Sequence, residues 1–375
     1  MRLQDLEFKS FRNYSELRLP DLGDLVIFCG PNAIGKTNIL EGIHLLTAAS
    51  SFRHSQINQL IEQGQESSFL QGCLSDGNRE ITTTLYLEPG KKRFQVNGKN
   101  KQTADVKGIL PAISFVPDDL NLAKKSSSVR RDALDDLGVQ LSKNYNIVYR
   151  DYEKALRYKN RLLKDEAPQP LVDAINETLL AVASQLYCYR RSLYTRIVPI
   201  VQQNYAVLAQ SGEKFNADYQ PSWLRMQDKY PGLSSFDSSS ALTVNRDEVR
   251  TCIYDALTCY SSEEMRGRRS FIGPHNDQIT FYLSDKDASI FASQGQQRSI
   301  VLAWKLAEVQ MVRQTLGVNP VLLLDDVMSE LDETRRDMLV NAVGDDIQTF
   351  ITTTDLSPFR TSLLEKAHVI HLPLK

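Results

Sequence analysis

Apolar and polar residues alternate in short runs over roughly the first third of the chain. Leu3-Gln4-Asp5-Leu6-Glu7-Phe8, Asp24-Leu25-Val26-Ile27-Phe28-Cys29 and Glu80-Ile81-Thr82-Thr83-Thr84-Leu85-Tyr86-Leu87 have the texture of strands. Asn97-Gly98, just after Arg93-Phe94-Gln95-Val96, predicts a tight hairpin turn, because both residues tolerate positive φ. From about 128 to 210 the apolar spacing changes to three and four. That spacing predicts helices over Arg130–Leu141, Tyr145–Lys164 and Leu171–Tyr205, with Pro168 and Pro170 as breakers. Residues 211–240 are polar and interrupted by Pro221, Pro231 and the serine cluster Ser234–Ser240, which is the composition of a loop. Another helix is expected over Asp247–Tyr260, and beyond about 265 an α/β texture returns and continues to Lys375. The pattern predicts one α/β domain built from both ends of the chain, 1–125 and 263–375, with a mostly helical arm inserted at 126–262.

A length of 375 residues is too great for one ordinary core and favours two domains. With 42% hydrophobic and 24% charged residues the chain reads as globular. No run approaches the ~18 apolar residues of a membrane span, and the acidic start Met1–Glu7 lacks a signal h-region, so a cytoplasmic protein is expected. The five cysteines form no C-x-x-C pair, which supports neither a zinc knuckle nor a disulfide framework. Cys252 and Cys259, seven apart in a helical stretch, are expected on one buried face. His368 and His371 fall in a terminal strand. Net charge is only −2, yet residues 121–200 hold 14 Lys+Arg against 9 Asp+Glu, so the arm is locally basic.

Three motifs carry chemistry. Gly30-Pro31-Asn32-Ala33-Ile34-Gly35-Lys36-Thr37 matches G-x-x-x-x-G-K-[ST], preceded by an apolar strand and followed by a helix opening at Asn38. Glycines let backbone N–H groups wrap a phosphate chain, Lys36 reaches the β/γ-phosphates, and Thr37 offers a hydroxyl to Mg²⁺. The run Val321-Leu322-Leu323-Leu324-Asp325-Asp326 reads as a buried parallel strand ending in two carboxylates. Asp325 suits the Mg²⁺ shell and Asp326 the attacking water, which makes Asp326 and Lys36 the candidate catalytic residues for ATP hydrolysis. Ser293-Gln294-Gly295-Gln296-Gln297-Arg298 opens a long helix, where a serine hydroxyl, a glycine backbone and the helix dipole together suit an anion.

In the order phosphate loop, Ser293–Gln297, double acid, these motifs resemble an ABC-type ATPase, in which the signature faces a nucleotide held by the opposite subunit. Ser329-Glu330-Leu331-Asp332 resembles that class's D-loop, with Ser329 and Asp332 at a dimer interface. Phe11-Arg12-Asn13-Tyr14, Thr37-Asn38, Gly273-Pro274-His275, the full signature and Leu322–Val327 make the resemblance specific: the chain is similar to the RecF family of DNA repair ATPases. The stretch Tyr152–Lys164 resembles the arm helix of that family. The resemblance implies that Arg12 joins the loop and Asn38 in binding nucleotide. It also implies an ATP-dependent homodimer on double-stranded, gapped or junction DNA, acting with RecR and RecO to help load RecA in recombinational repair and replication-fork maintenance. Slow hydrolysis is implied as well, since Phe350-Ile351-Thr352-Thr353-Thr354 ends in threonines where most ABC proteins carry a switch histidine.

The chain departs from the family at Asn276 and Gln278, where G-P-H-R-D-D is usual, and at Lys125-Ser126-Ser127 in place of G-S-P. DNA contacts are expected through phosphates alone, since no groove-reading motif is present. The candidates are Lys124, Lys125, Arg130, Arg131, Arg157, Lys159 and Arg161. Two rival readings are an ABC transporter's nucleotide-binding subunit, which does not need so long a basic insertion, and a small-molecule P-loop kinase, which needs neither signature nor D-loop.

Overall fold

The computed structural model describes the chain apart from residues 210–211, 227–244, 344–345, 358 and 374–375; the serine cluster 234–240 lies outside the described residues. The chain divides into two units, Met1–Asp119 with Trp304–Lys375, and Leu120–Ala303. The first unit, called the head below, is thus assembled from both chain ends, as the texture predicts. The units change over after Asp119 and after Ala303, where the texture places the changes after 125 and 262.

Two sheets make up the head unit. The first is six-stranded and antiparallel, in the order Tyr14–Leu19, Arg2–Phe11, Ser68–Ser75, Glu80–Glu88, Lys91–Val96, Lys99–Lys101. Its alternation follows from one face being buried: Leu6, Phe8, Leu70, Leu85 and Phe94 are at most 1% exposed, while their neighbours Glu7, Lys9 and Arg93 face water. Asn97 and Gly98, with φ of 48° and 74°, make the expected hairpin turn.

The second sheet is five-stranded and parallel, in the order His368–His371, Leu25–Cys29, Thr349–Thr353, Val321–Asp325, Ala112–Phe115. Strands of this kind are buried on both faces, which is why Val321–Leu324 reads as an unbroken apolar run. Thr349–Thr353 lies between the phosphate-loop strand and the double-acid strand, with Thr352 beside Asp325 and Thr353 beside Cys29. Phe28 and Phe350 stack across this register at 6.4 Å. The helix Lys36–Thr47 packs closely enough on the first sheet that a Cβ at Gly42 would lie 2.1 Å from the Phe8 ring. Near the unit's border, Lys305 Nζ sits 3.2 Å from Asp119 and 3.4 Å from Glu308, so an ion pair joins the two chain segments of the head.

The arm unit holds the helices Ser127–Leu141, Lys143–Lys164, Gln169–Ala209 and Arg246–Gly267, and a three-stranded sheet, Lys286–Asp287, Gln278–Leu283, Phe215–Gln220. The strand Phe215–Gln220 lies in the stretch read as loop. Its partner is Gln278–Leu283, so local composition gave no sign of it. That pairing, together with Arg130 donating to the Ile279 carbonyl at 3.0 Å, explains why residues 263–303 belong to the arm. Cys252 is buried but Cys259 is exposed, contrary to expectation. The buried stripe of this helix runs through Val249, Ile253, Ala256, Leu257, Tyr260 and Glu264. Cys252 lies at its edge, and the ~20° lag of a seven-residue step carries Cys259 beyond it.

Candidate nucleotide site and signature loop

The strand Leu25–Cys29 delivers the chain to a loop whose bends fall at two small residues. Ala33 and Gly35 adopt φ of 64° and 110°, and a Cβ at Gly35 would fall 2.5 Å from Asn13 Nδ2. Lys36, only 7% exposed, turns its ammonium back across the loop and donates to the carbonyls of Gly30 (2.7 Å) and Pro31 (2.9 Å). Thr37 Oγ1 donates to the Asp325 carboxylate at 2.8 and 3.0 Å. Thr352 Oγ1 donates to the same carboxylate at 2.8 Å and accepts the Asp326 N–H at 2.9 Å, while Asp326 itself holds a left-handed φ of 53°. Burial pushes the Asp325 carboxyl above its ordinary range, and the hydroxyls of Thr352 and Thr37 only partly offset this.

These groups line one cavity of about 540 Å³, together with Asn32, Ala33, Gly35 and Asn38. Arg12 borders it as well, with its guanidinium held by Glu41. Two bonds of 2.9 and 2.8 Å join them, and Arg12 also donates to the Gln59 carbonyl at 2.7 Å. Burial alone would raise Glu41, but the Arg12 bonds and the Ser51 and Ser55 hydroxyls outweigh it and hold this carboxyl below its usual range. Arg12 therefore reaches the cavity as a fixed ion pair anchored on the phosphate-loop helix.

Sequence reasoning missed three members of the site. Asn13, in the turn between the strands Arg2–Phe11 and Tyr14–Leu19, donates to the Ile34 carbonyl at 2.9 Å and accepts from Asn38 at 2.7 Å, tying that turn to the phosphate loop and its helix. Arg53, 48% exposed, donates to Asn38 Oδ1 at 3.2 Å on the cavity wall. Thr352 is the third. Arg53 carried no local signal, since it reaches the cavity only through tertiary packing, whereas Asn13 and Thr352 lay within stretches already singled out, without a role in the site assigned to either.

A single carboxylate and a single hydroxyl, Asp325 and Thr37, offer oxygen donors side by side. Among the described residues no cluster of three or more His, Cys, Asp or Glu could cage a metal. That set fits Mg²⁺, a cation that keeps several waters and takes its other ligands from substrate phosphates. When bound, the ion would neutralise phosphate charge beside Lys36.

The signature lies in the arm unit, at the start of the helix Gln294–Leu316. Ser293 and Gln294 are exposed, Gly295 and Gln296 half-buried, and Gln297 buried. Ser293 Oγ accepts the Gln296 N–H at 3.3 Å while Gln296 Oε1 accepts the Ser293 N–H at 2.6 Å, a reciprocal capping box. In the head unit, Asp332 accepts the Arg335 N–H at 2.9 Å and pairs with its guanidinium. Ser329 lies in the short helix Val327–Glu330, and its side chain is outside the described residues.

A family model described as "RecF/RecN/SMC N terminal domain" matches residues 2–370. The chain belongs to the RecF family. It is 33% identical over 381 residues to the "DNA replication and repair protein RecF" of Lactobacillus johnsonii, covering 99% of this chain and 97% of that protein. To the protein of the same description in Thermosynechococcus vestitus it is 35% identical over 376 residues, covering 99% and 95%. A solved structure of "the recombination mediator protein RecF-ATPrS in RecFOR pathway" superposes with a TM-score of 0.85 at 27% identity, over 96% of this chain and 94% of that one. An Smc head bound to the C-winged helix domain of ScpA shares the fold, with a TM-score of 0.54 at 15% identity over 100% and 95%. The chain is thus an ABC-type ATPase head with a helical insertion, and the transporter and small-molecule kinase readings fall away.

For a RecF-family arm, the basic candidates divide sharply. Lys159 is fully buried and paired with Glu264 at 2.5 Å. Arg130, 3% exposed, donates to the carbonyls of Leu122, Ala123 and Ile279 and lies over the Phe281 ring at 4.8 Å. Arg131, half-buried, donates to the Asp277 carbonyl. Lys159 and Arg130 are thus arm-core residues whose polar heads are already bonded inside, while Arg131 keeps part of its side chain at the surface. Lys124, Lys125, Arg157 and Arg161 remain exposed.

The Gly273–Asp277 loop is also internal. Asp277 accepts from Tyr219 Oη (2.5 Å) and the Ser222 N–H (2.8 Å), and Arg190 donates to the Pro274 carbonyl (2.6 Å) while pairing bidentately with Asp135. Burial lowers His275 to about 4, so its neutral ring accepts from Tyr152 Oη at 2.5 Å and donates to the Ser270 carbonyl at 3.2 Å.

Proposed function

We propose that this chain is an ATP-dependent DNA-binding protein of recombinational repair. ATP binding drives its dimerisation on DNA, slow hydrolysis releases it, and with RecR and RecO it helps load RecA at gaps. The convergence of Lys36, Thr37, Asp325 and Asp326 on one cavity carries the reading, because it brings together a phosphate cradle, a Mg²⁺ shell and a carboxylate for the attacking water. The relatives' descriptions as DNA replication and repair proteins, and the mediator structures with ATP or an analogue, support extending that role to this chain. Homodimerisation is supported by the signature loop. Its exposed Ser293, at the N-terminus of a long helix, suits the γ-phosphate of a nucleotide held by a second copy.

The test is Lys36→Ala in the full chain. Its ammonium is the one cation that the phosphate loop itself contributes, so the variant should fold, lose ATP turnover, and fail to dimerise or to bind gapped DNA when ATP is added. Wild-type turnover in this variant would refute the assignment of the site.

A further inference from the structure

The signature's second glutamine spends both ends of its amide. Oε1 takes the Ser293 N–H at 2.6 Å, and Nε2 faces Glu213, whose Oε1 and Oε2 lie at 2.7 and 2.8 Å. A glutamine amide can turn over about its last torsion, exchanging its oxygen for its NH₂. In the exchanged state, two N–H groups would face the Ser293 N–H and the capping box would be lost. An ionised glutamate only accepts, so Glu213 permits a single orientation of Gln296. Glu213 stands just beyond the C-terminal end of the arm helix Gln169–Ala209. That end is fastened to the signature helix a second time, by Asn204 Nδ2 donating to the Ala303 carbonyl at 3.2 Å.

We propose that Glu213 is a positioning residue for the signature loop, fixing the Gln296 amide and with it the place of Ser293 at the helix N-terminus. The inference rests on the composite-site reading above, in which Ser293 meets the nucleotide of a second copy. Glu213 touches no nucleotide itself; it acts through Gln296. Its position makes the signature geometry depend on a residue of the arm.

The chemistry of the pair supplies the test. Glu213→Lys replaces an acceptor with a donor and imposes the wrong amide orientation. Combining it with Gln296→Glu restores order, because the introduced carboxylate accepts from both the introduced ammonium and the Ser293 N–H. In full-length protein, Glu213→Lys should leave ATP affinity at the phosphate loop within about twofold. It should lower ATP-driven dimerisation and turnover by roughly tenfold, the equivalent of one misplaced charge-assisted hydrogen bond. The double variant should recover to within about threefold of wild type. Wild-type turnover and dimerisation in Glu213→Lys would overturn the proposal, as would a double variant no better than Gln296→Glu alone. Ser293→Arg serves as the control. If it also dimerises normally with a slowly hydrolysed ATP analogue, the composite-site reading itself fails, and Glu213 falls with it. If Ser293→Arg stays monomeric while Glu213→Lys behaves as wild type, only the Glu213 assignment is lost.

Discussion

Replacing Thr352 with valine keeps the shape of a fully buried side chain and removes one hydroxyl. Two bonds go with it, the donation to Asp325 and the acceptance of the Asp326 N–H. A hydrogen bond to a charged group contributes about 1.5–3 kcal/mol, and an orphaned buried N–H costs about 1–3 kcal/mol. The two effects share one atom and do not add fully, so folding stability should fall by about 2–4 kcal/mol. The larger consequence concerns the metal. Protons compete with Mg²⁺ for Asp325, whose carboxyl burial already pushes upward and which the Thr352 bond pulls back down. Without that bond it rises further. The acid-side loss of activity should therefore begin at higher pH, and the Mg²⁺ requirement at pH 7 should increase by about tenfold, near 1.4 kcal/mol. Thr352→Ser keeps donor and acceptor and should resemble wild type. Steady-state ATP turnover measured against Mg²⁺ and pH, alongside urea denaturation, reads both effects. A folded Thr352→Val protein with an unchanged Mg²⁺ dependence and pH profile would refute the argument.

The two acids should separate. Asp325→Asn should weaken Mg²⁺-dependent nucleotide binding, whereas Asp326→Asn should retain ATP and accumulate an ATP-bound dimer in sedimentation. Reversing Lys124, Lys125, Arg157 and Arg161 to glutamate should weaken binding to all DNA sequences alike and flatten the log–log salt slope by about 0.9 for each phosphate no longer neutralised; an unchanged slope would move the DNA surface elsewhere. His275 should make the fold acid-sensitive. Its pKa is depressed to about 4 from 6.5, so the unfolded chain takes up its proton first. The stability it confers is present above pH 6.5 and lost as pH falls toward 4, about 3 kcal/mol in all. Glu308, raised by burial to about 7, works in the opposite direction over much of that range. The measurement is therefore the difference in denaturation slope between wild type and His275→Gln, and the variant should lose less stability on acidification.

Local periodicity and short motifs determined much about this protein. The phosphate loop, the double acid and the signature each occupy a few consecutive residues, and the return of α/β texture after the helical stretch placed the head at both chain ends. Those features are legible because backbone geometry, capping and phosphate recognition act over a few residues. Tertiary structure decided everything that depends on partners distant in sequence. Thr352 becomes part of the site only because a parallel strand inserts between two others. The strand Phe215–Gln220 exists only beside Gln278–Leu283, and that pairing draws the signature into the arm unit. Lys159 and Arg157 sit two apart on one helix with the same charge, yet one is sealed against Glu264 and the other faces water. Charge along the chain cannot distinguish them, because burial is set by which face of the helix its neighbours cover. Glu213 and Gln296 are invisible to each other in the sequence for the same reason: a hydrogen bond between two polar side chains leaves no periodicity, and only the packed arm brings their atoms within reach.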